Sequence, residues 1–531
     1  MIHENIFLIL GLLFAVSMFS MLSVKLKTSY PILLVLAGLV IGFIPGIPPV
    51  SLEPDLVFLI FLPPLLYAAA WNTSWKDFWK SRRPIGLLSI GLVIFTSTAI
   101  AFISSAIIPG FPLAYGFLLG GIISPPDAVA ATSVLQGLKI PKRVVTILEG
   151  ESLINDASSL IVFRFALAAI LTGHFSIWQA GGDFLLVACM GILIGLGIAY
   201  LVYLAHRFLP TNPSIDTALT LLSPYLMYLA AEQFHYSGVM AVVTGGLFLS
   251  YRSHAIFSYD TRIQAYSFWD TFTFLLNGFV FILIGLQLPQ IISALGDYSI
   301  GQAIFYGIVI SIITILIRII WVFPGAYVPR FLNRQLRKKE PRPVPAAVFL
   351  VAWSGMRGVV SLASALAVPL TISPGVAFPF RNLLLFITFI VILITLVLQG
   401  LSLSWVIRKL NIADEPETNQ EELELALKLQ LAEASLDLIN ARYAAEADTL
   451  DVFKRIKERY HRMAQLSYQK IVEGESIDNS FMPKYRQMLL DIIAVKRSSL
   501  QRLKREQLYS DEMLRVKERE LDLEEARLRT S

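Results

Sequence analysis

Asp127 directly follows Ser124-Pro125-Pro126 inside a long apolar segment, and Asp156 ends the run Glu151-Ser152-Leu153-Ile154-Asn155-Asp156 inside the next one. A carboxylate at membrane depth costs on the order of 2.5–3.5 kcal/mol if it faces lipid, so both should line protein or a water-filled cavity. Two carboxylates among neutral oxygens make a hard site, suited to a small cation rather than to a soft metal. Such a site also takes protons. Removal from water favours a protonated carboxyl and a bound cation favours an ionised one, so Asp156 can hold either occupant but not comfortably both. If the loaded site can change sides while the bare charged site cannot, two gradients are coupled without ATP. The sequence contains no phosphate-binding G-x-x-x-x-G-K-[ST] motif.

The neighbouring residues sharpen this chemistry. At helical spacing Ser152, Asp156 and Ser159 form one stripe and Glu151, Asn155 and Ser158 the stripe beside it, so one face is hydrophilic. Structural hydrogen bonds between helices account for Ser158 or Asn155 taken singly, but poorly for Asp156 alongside Asp127. The prolines predict an unwound helix at 124–127. A second break is expected at Trp353-Ser354-Gly355-Met356-Arg357-Gly358, where two glycines flank a cation. Broken helices expose amide donors on one half and carbonyls on the other, ends that suit Asp127 and Arg357 respectively. Arg318 and Arg164 also lie inside apolar segments and each should have an acidic partner; Glu151 is the candidate for Arg318, as a structural ion pair. Arg164, two helical turns beyond Asp156, has room to reach the outer interface, and Glu232 and His235 read as interfacial.

The elements carrying these residues must be membrane helices. With 55% hydrophobic and 16% charged residues and a mean hydropathy of +0.65, the chain is not a water-soluble globule. The net charge of +5 conceals a split: residues 1–411 hold about 39 charged side chains and net about +9, the remainder about 44 and net about −4. Apolar segments able to cross a core of about 30 Å occur at 4–24, 31–47, 55–71, 85–108, 112–136, 144–171, 181–205, 216–233, 238–251, 268–288, 300–324, 346–370 and 382–406. The eighth to tenth have the least definite ends. An N-terminus outside puts about twenty basic loop residues, including Lys27, Lys139, Arg337, Lys338 and Lys339, in the cytoplasm and leaves Arg381 outside. Met1 to Ser23 lacks a basic n-region and a small-residue cleavage site and reads as a retained first helix.

The expected fold is an all-α polytopic membrane protein of thirteen transmembrane helices. Helices one to six and eight to thirteen form inverted six-helix repeats around helix seven, with the two broken helices, five and twelve, as partners. Residues 1–411 form the membrane domain. Residues 412–531 form a helical cytoplasmic domain, with amphipathic helices expected over Glu421–Asp448, Asp451–Ile471 and Phe481–Arg529. Cys189 is the single cysteine, which excludes intramolecular disulfides and Cys-based zinc or iron–sulfur sites. Basic residues beside apolar segments already follow the positive-inside rule and give little support to nucleic-acid binding.

The stretch Ser124 to Ala168, SPPDAVAATSVLQGLKIPKRVVTILEGESLINDASSLIVFRFALA, resembles the signature region of the monovalent cation:proton antiporter family, in its sodium/proton exchanger branch with an Asn-Asp pair. FLPPLLYAAAW at 61–71, NGFVFILIGLQL at 277–288 and WSGMRGVVSLA at 353–363 are similar to the family's other blocks. The resemblance implies a homodimer in a bacterial cell membrane, a core domain moving against a dimerisation domain, and crossed broken helices at the ion site. It implies that Asp156 carries Na+ (or Li+ or K+) and H+ in turn, that Asn155 is its structural neighbour, and that Asp127 is a supporting carboxylate. Ser152 would add an oxygen ligand, Glu151 with Arg318 would be a stabilising pair, and Arg357 would offset the broken-helix dipoles. Asn155 before Asp156 implies electroneutral one-for-one exchange. Pro126 departs from the Thr or Val of many relatives, which removes a hydroxyl there. No cofactor is implied; the ions are transported substrates.

Three other readings compete. A cation channel predicts flux without an opposing gradient, and a membrane sensor predicts function that survives Asp156→Asn. An intramembrane hydrolase would need a motif such as H-E-x-x-H, which is absent from the sequence.

Overall fold

Two interrupted helices organise the structure around the polar segment that holds Asp156. In the computed structural model, residues 2–26, 28–45, 58–135, 138, 140–173, 177–296, 298–335, 342–373, 375–410, 417–473, 482–505 and 511–530 are described. Lys27, Lys139, Arg337, Lys338 and Lys339 lie outside the described residues. The contacts divide the chain into residues 1–414 and residues 415–531.

In the first unit the principal helices are Ile2–Leu26, Tyr30–Gly42, Leu62–Asn72, Arg82–Ile107, Leu113–Ile123 with Ala128–Leu135, Lys142–Thr172, Ile177–Phe208, Pro213–Gln233, Gly238–Ile256, Tyr259–Leu286, Ile300–Leu332, Pro345–Trp353 with Val359–Leu366, and Arg381–Leu410. The strands among the described residues are a short antiparallel pair, Thr371–Ser373 with Val376–Ala377. Eight helical spans among the described residues are long and apolar enough to cross a membrane by length and composition. The protein is an all-helical, multi-span membrane protein.

Pro213–Gln233 and Gly238–Ile256 are not among those eight. Polar groups of the first of them are turned inward and paired: Asp216 Oδ1 lies 2.8 Å from His206 Nδ1, Thr261 donates to Asp216 Oδ2 at 2.9 Å, and Trp269 Nε1 donates to Thr220 at 3.0 Å. Composition alone underrates such helices, because it does not say which way a polar side chain faces. Side-chain caps set the boundaries that the apolar runs leave open. Asn212, Ser237 and Ser258 accept from Ile215, Met240 and Thr261 N–H at 2.9, 3.2 and 3.1 Å. The tenth helix therefore starts at Tyr259 rather than 268, and the ninth continues to Ile256 rather than 251.

Small residues bring helices into close contact. A Cβ at Gly116 would lie 2.6 Å from the Ala101 carbonyl oxygen, and one at Gly120 would lie 2.6 Å from that of Ser97. Buried apolar side chains gather in two clusters. One joins 88–135 and 303–407 to 280–295 and the first two helices; the other joins 62–70, 199–203, 227–249 and 265–269. The Lys142–Thr172 helix gives Val144, Leu148, Phe163 and Ala166 to the first and Leu153 and Ala157 to the second, so it runs along the seam between them.

In the second unit Glu417–Arg442 and Ala444–Thr449 pack on Asp451–Glu473, and Met482–Arg505 packs on Asp511–Thr530. The run expected as a single helix over Phe481–Arg529 is thus two, with Phe481 and 506–510 outside the described residues. Folding back pairs opposite charges: Arg497 meets Asp522 at 2.6 Å and Lys496 meets Glu524 at 3.2 Å. A hydrogen bond from Arg529 holds the Glu525 carboxyl below the usual carboxylate range, with Arg497 adding to the effect.

Candidate functional site

Pro125 and Pro126 supply no N–H, and Pro disfavours helical geometry in the residue before it, so the first broken helix stops at Ile123 and restarts at Ala128. The second stops at Trp353 and restarts at Val359, across a segment that contains Gly355 and Gly358. The two interruptions touch: Asp127 N–H donates to the Met356 carbonyl at 2.7 Å.

Each interruption leaves backbone groups that the helix no longer satisfies, and ionised side chains take them up. Asp127 Oδ1 accepts from Val129 N–H at 2.8 Å and Ala130 N–H at 3.4 Å, and its carboxylate also receives Val359 N–H. One carboxylate thereby caps the starts of both second half-helices, where partial positive charge gathers. Arg357 serves the opposite ends. Its Nε donates to the Ile123 carbonyl at 3.0 Å, Nη2 reaches the Ser124 carbonyl at 3.5 Å, and Nη1 donates to the Gly355 carbonyl. Arg318 donates to the Val351 carbonyl through Nη2 at 3.1 Å and Nε at 3.3 Å, and meets Glu151 in a two-pronged pair at 2.5 and 2.8 Å. Both partners of that pair are 1% exposed.

Gly358 is required by this arrangement, because a Cβ there would overlap the Asp127 carboxylate. Gly358→Ala must displace a side chain held by backbone donors. It is expected to cost about 1–3 kcal/mol in folding stability, read as a lower midpoint of thermal unfolding, together with a slower transport rate. A midpoint equal to the parent's would contradict the capping geometry.

The hydrophilic face of Lys142–Thr172 meets this crossing. Asn155 Nδ2 donates to the Pro126 carbonyl at 3.0 Å, holding an acceptor freed by the break, and its buried Oδ1 has no hydrogen bond among the described residues. Ser152 Oγ accepts from Ala128 N–H at 3.4 Å. Ser158, expected to bond between helices, instead donates to Ile154 O of its own helix at 3.2 Å, and Ser159 donates to Asp156 O at 2.9 Å. A serine hydroxyl reaches the carbonyl one turn back more readily than a neighbouring helix. Asp156 is 6% exposed, and no hydrogen bond to its carboxylate is formed among the described residues. It lies near enough to Asp127 for the two charges to interact. Asp127, Asn155, Ser152 and Asp156 are thus brought to one place, with Glu151, Arg318 and Arg357 as its charged surroundings. Chemically, Asp156 is a buried acid free to take up a monovalent charge, while Asp127 is committed to backbone donors.

Two features differ from, or go beyond, the sequence reading. Arg164 has the acidic partner expected of it, and that partner, not named from the sequence, is Glu232, with Nη2 2.9 and 2.7 Å from the two carboxylate oxygens. Thr395 was not marked in the sequence and accepts from Arg357 N–H at 3.1 Å. A hydroxyl within the almost wholly apolar run 382–398 was the available signal.

Residues 9–409 match the family described as sodium/hydrogen exchanger, transmembrane. An uncharacterized Na+/H+ exchanger of Mycobacterium tuberculosis is 32% identical over 98% of this chain and 95% of its own. The sodium, potassium, lithium and rubidium/H+ antiporter of Bacillus subtilis is 35% identical over 69% of this chain and 56% of its own. The fold is similar to that of the sodium proton antiporter MjNhaP1 from Methanocaldococcus jannaschii, with a TM-score of 0.61 and 23% identity, covering 77% of this chain and 99% of that one. This chain accordingly belongs to the sodium/hydrogen exchanger family and is a cation/proton antiporter, a secondary transporter rather than an enzyme.

Proposed function

We propose that the protein exchanges Na+, with Li+ or K+ as the alternative cations, for H+ by alternating access, one for one, with both ions competing for Asp156. The observation that carries this reading is the contrast between Asp156 and the charges around it. Glu151 and Arg318 neutralise one another, and Asp127 and Arg357 are spent on opposite ends of broken helices. The Asp156 carboxylate forms no protein hydrogen bond among the described residues. A buried carboxylate without compensation is costly until a proton or a cation neutralises it, so the loaded site can cross and the bare one cannot. One such charge takes one monovalent ion, hence the electroneutral ratio. Asn155, neutral and bound to Pro126, adds no second charge. Ser152 and the Asn155 oxygen are the proposed neutral ligands. The similarity to the sodium, potassium, lithium and rubidium/H+ antiporter of Bacillus subtilis supports keeping K+ and Li+ beside Na+.

The proposal includes thirteen membrane crossings in inverted six-helix repeats and a pair of crossed broken helices. It places the N-terminus outside, residues 412–531 in the cytoplasm of a bacterial cell, and the active form as a homodimer. The parity of the crossings is supported by Arg164 and Glu232, which lie in the C-terminal halves of two helices assigned the same direction.

The test uses purified protein in liposomes with an internal pH dye and external Na+, K+ or Li+. On the acid side of the site's titration, the apparent KM for the cation should rise about tenfold for each unit the pH falls, because protons then outcompete the cation. An imposed voltage should leave the rate unchanged. A cation KM independent of pH would overturn competition at one site, and strong voltage dependence would overturn the one-for-one ratio.

A further inference from the structure

The Arg164–Glu232 pair lies outside the ion site, yet it joins the two apolar assemblies. Arg164 belongs to the helix that carries Asp156; Glu232 ends a helix whose buried residues belong to the cluster at 227–249. Glu232 is fixed from its own side. Its Oε1 accepts Gly238 N–H at 3.2 Å, and the intervening turn is closed by Tyr236 N–H donating to Ala231 O at 3.0 Å, with His235 in the left-handed region at φ 62°. The acid is therefore a rigid post, while Arg164 is a long, adjustable arm.

The pair differs from Glu151–Arg318 in exposure. Glu151 and Arg318 are 1% exposed, whereas Arg164 and Glu232 are 44% and 29% exposed. A buried pair cannot part without leaving a charge unsolvated, but a half-exposed one can exchange its partner for water and re-form. The first suits a permanent joint, and the second suits a contact made and broken in every cycle.

We infer that Arg164 and Glu232 form an ionic latch across the seam, closed in this conformation and released when the site opens to the side where these helices end. That side is outside in the orientation proposed above, and the inference rests on the alternating-access reading. Releasing the latch lets the helix bearing Asp156 shift against the fixed helices, and re-forming it draws the seam shut. Salt bridges that repack at moving interfaces work in this way elsewhere.

The experiment places cysteines at both positions, Arg164→Cys with Glu232→Cys, in a Cys189→Ser background, and bridges them with a short bis-methanethiosulfonate in liposomes. Bridging is expected to cut exchange at least about tenfold, with recovery on adding dithiothreitol, because opening is then blocked. A bridged protein that exchanges at its unbridged rate would overturn the latch. If the cysteine pair does not fold, Arg164→Gln and Glu232→Gln give an independent reading. Each should favour the outward-open state, improving the apparent KM for external cation roughly threefold while worsening it for internal cation. A fall in rate without that asymmetry would mark a static tie and overturn the proposal. Absence of exchange in the wild-type protein would instead refute the transport reading itself, so the two failures are distinguishable.

Discussion

Asp156→Asn is expected to abolish exchange while leaving the folded protein intact. The amide is nearly isosteric with the carboxyl and keeps an oxygen in the same place, but it neither ionises nor takes up a proton in the working pH range. Transport should fall at least about 100-fold, to the rate of empty liposomes. Folding should be preserved or improved, because no backbone group among the described residues depends on this carboxylate and removing an uncompensated buried charge relieves desolvation. Thermal unfolding supplies a second measurement. A ligand present at about 100 times its Kd stabilises the native state by about 2.7 kcal/mol, so added Na+ should raise the unfolding midpoint of the parent and not of the variant. The gain in the parent should grow with pH, since fewer protons then occupy the site. Asp127→Asn is the informative contrast: it should weaken the caps of two half-helices and lower stability even without cation. If Asp156→Asn exchanges at the parent rate, Asp156 is not the carrier, and a sensor or a site centred on Asp127 must be considered instead.

The breaks were legible because proline and glycine act locally: Pro125-Pro126 removes donors whatever surrounds it, and the pair Gly355 and Gly358 marks a second weak point. Arg318 with Glu151 was legible by exclusion, since an apolar segment offers a cation few acids. What joins the two breaks was not. That Arg357 would reach back to the carbonyl of Ile123, and that Asp127 would receive an N–H from Val359, depends on how two helices cross. Helical periodicity fixes the face on which a residue lies but not the neighbour it meets. The same limit hid Glu232 from Arg164, 68 positions away. The helices at 213–256 were legible as spans but their ends were not, because the polar stretches at 233–238 and 252–270 mark no boundary until the caps by Asn212, Ser237 and Ser258 are in place. Local chemistry thus announced where the chain would break its own rules, and tertiary contact decided how each exception was balanced.

Removing one member of the Glu151–Arg318 pair should damage the fold more than any other single change considered. Both side chains are 1% exposed, and Arg318 also holds the Val351 carbonyl, which the break at 354–358 deprives of its helical donor. Glu151→Gln leaves a guanidinium without its counter-charge next to Arg357; Arg318→Gln leaves a carboxylate buried alone and Val351 unsatisfied. Each is expected to cost about 3–5 kcal/mol, seen as a large fall in thermal midpoint or in the yield of monodisperse protein, with transport lost as a consequence. Charge reversal separates pairing from mere packing. Glu151→Arg and Arg318→Glu should each be as harmful as neutralisation, and the double swap should recover a measurable part of the loss, although Val351 would then lack its donor. A double swap no better than the worse single variant would mean that the bond to Val351 and the local shape, rather than the attraction between the two charges, are what the protein needs. That result would also weaken the charge accounting behind one-for-one exchange. The balance that singles out Asp156 assumes that Glu151 and Arg318 cancel, and a surplus charge in this layer would travel with the moving helices and make the rate respond to voltage.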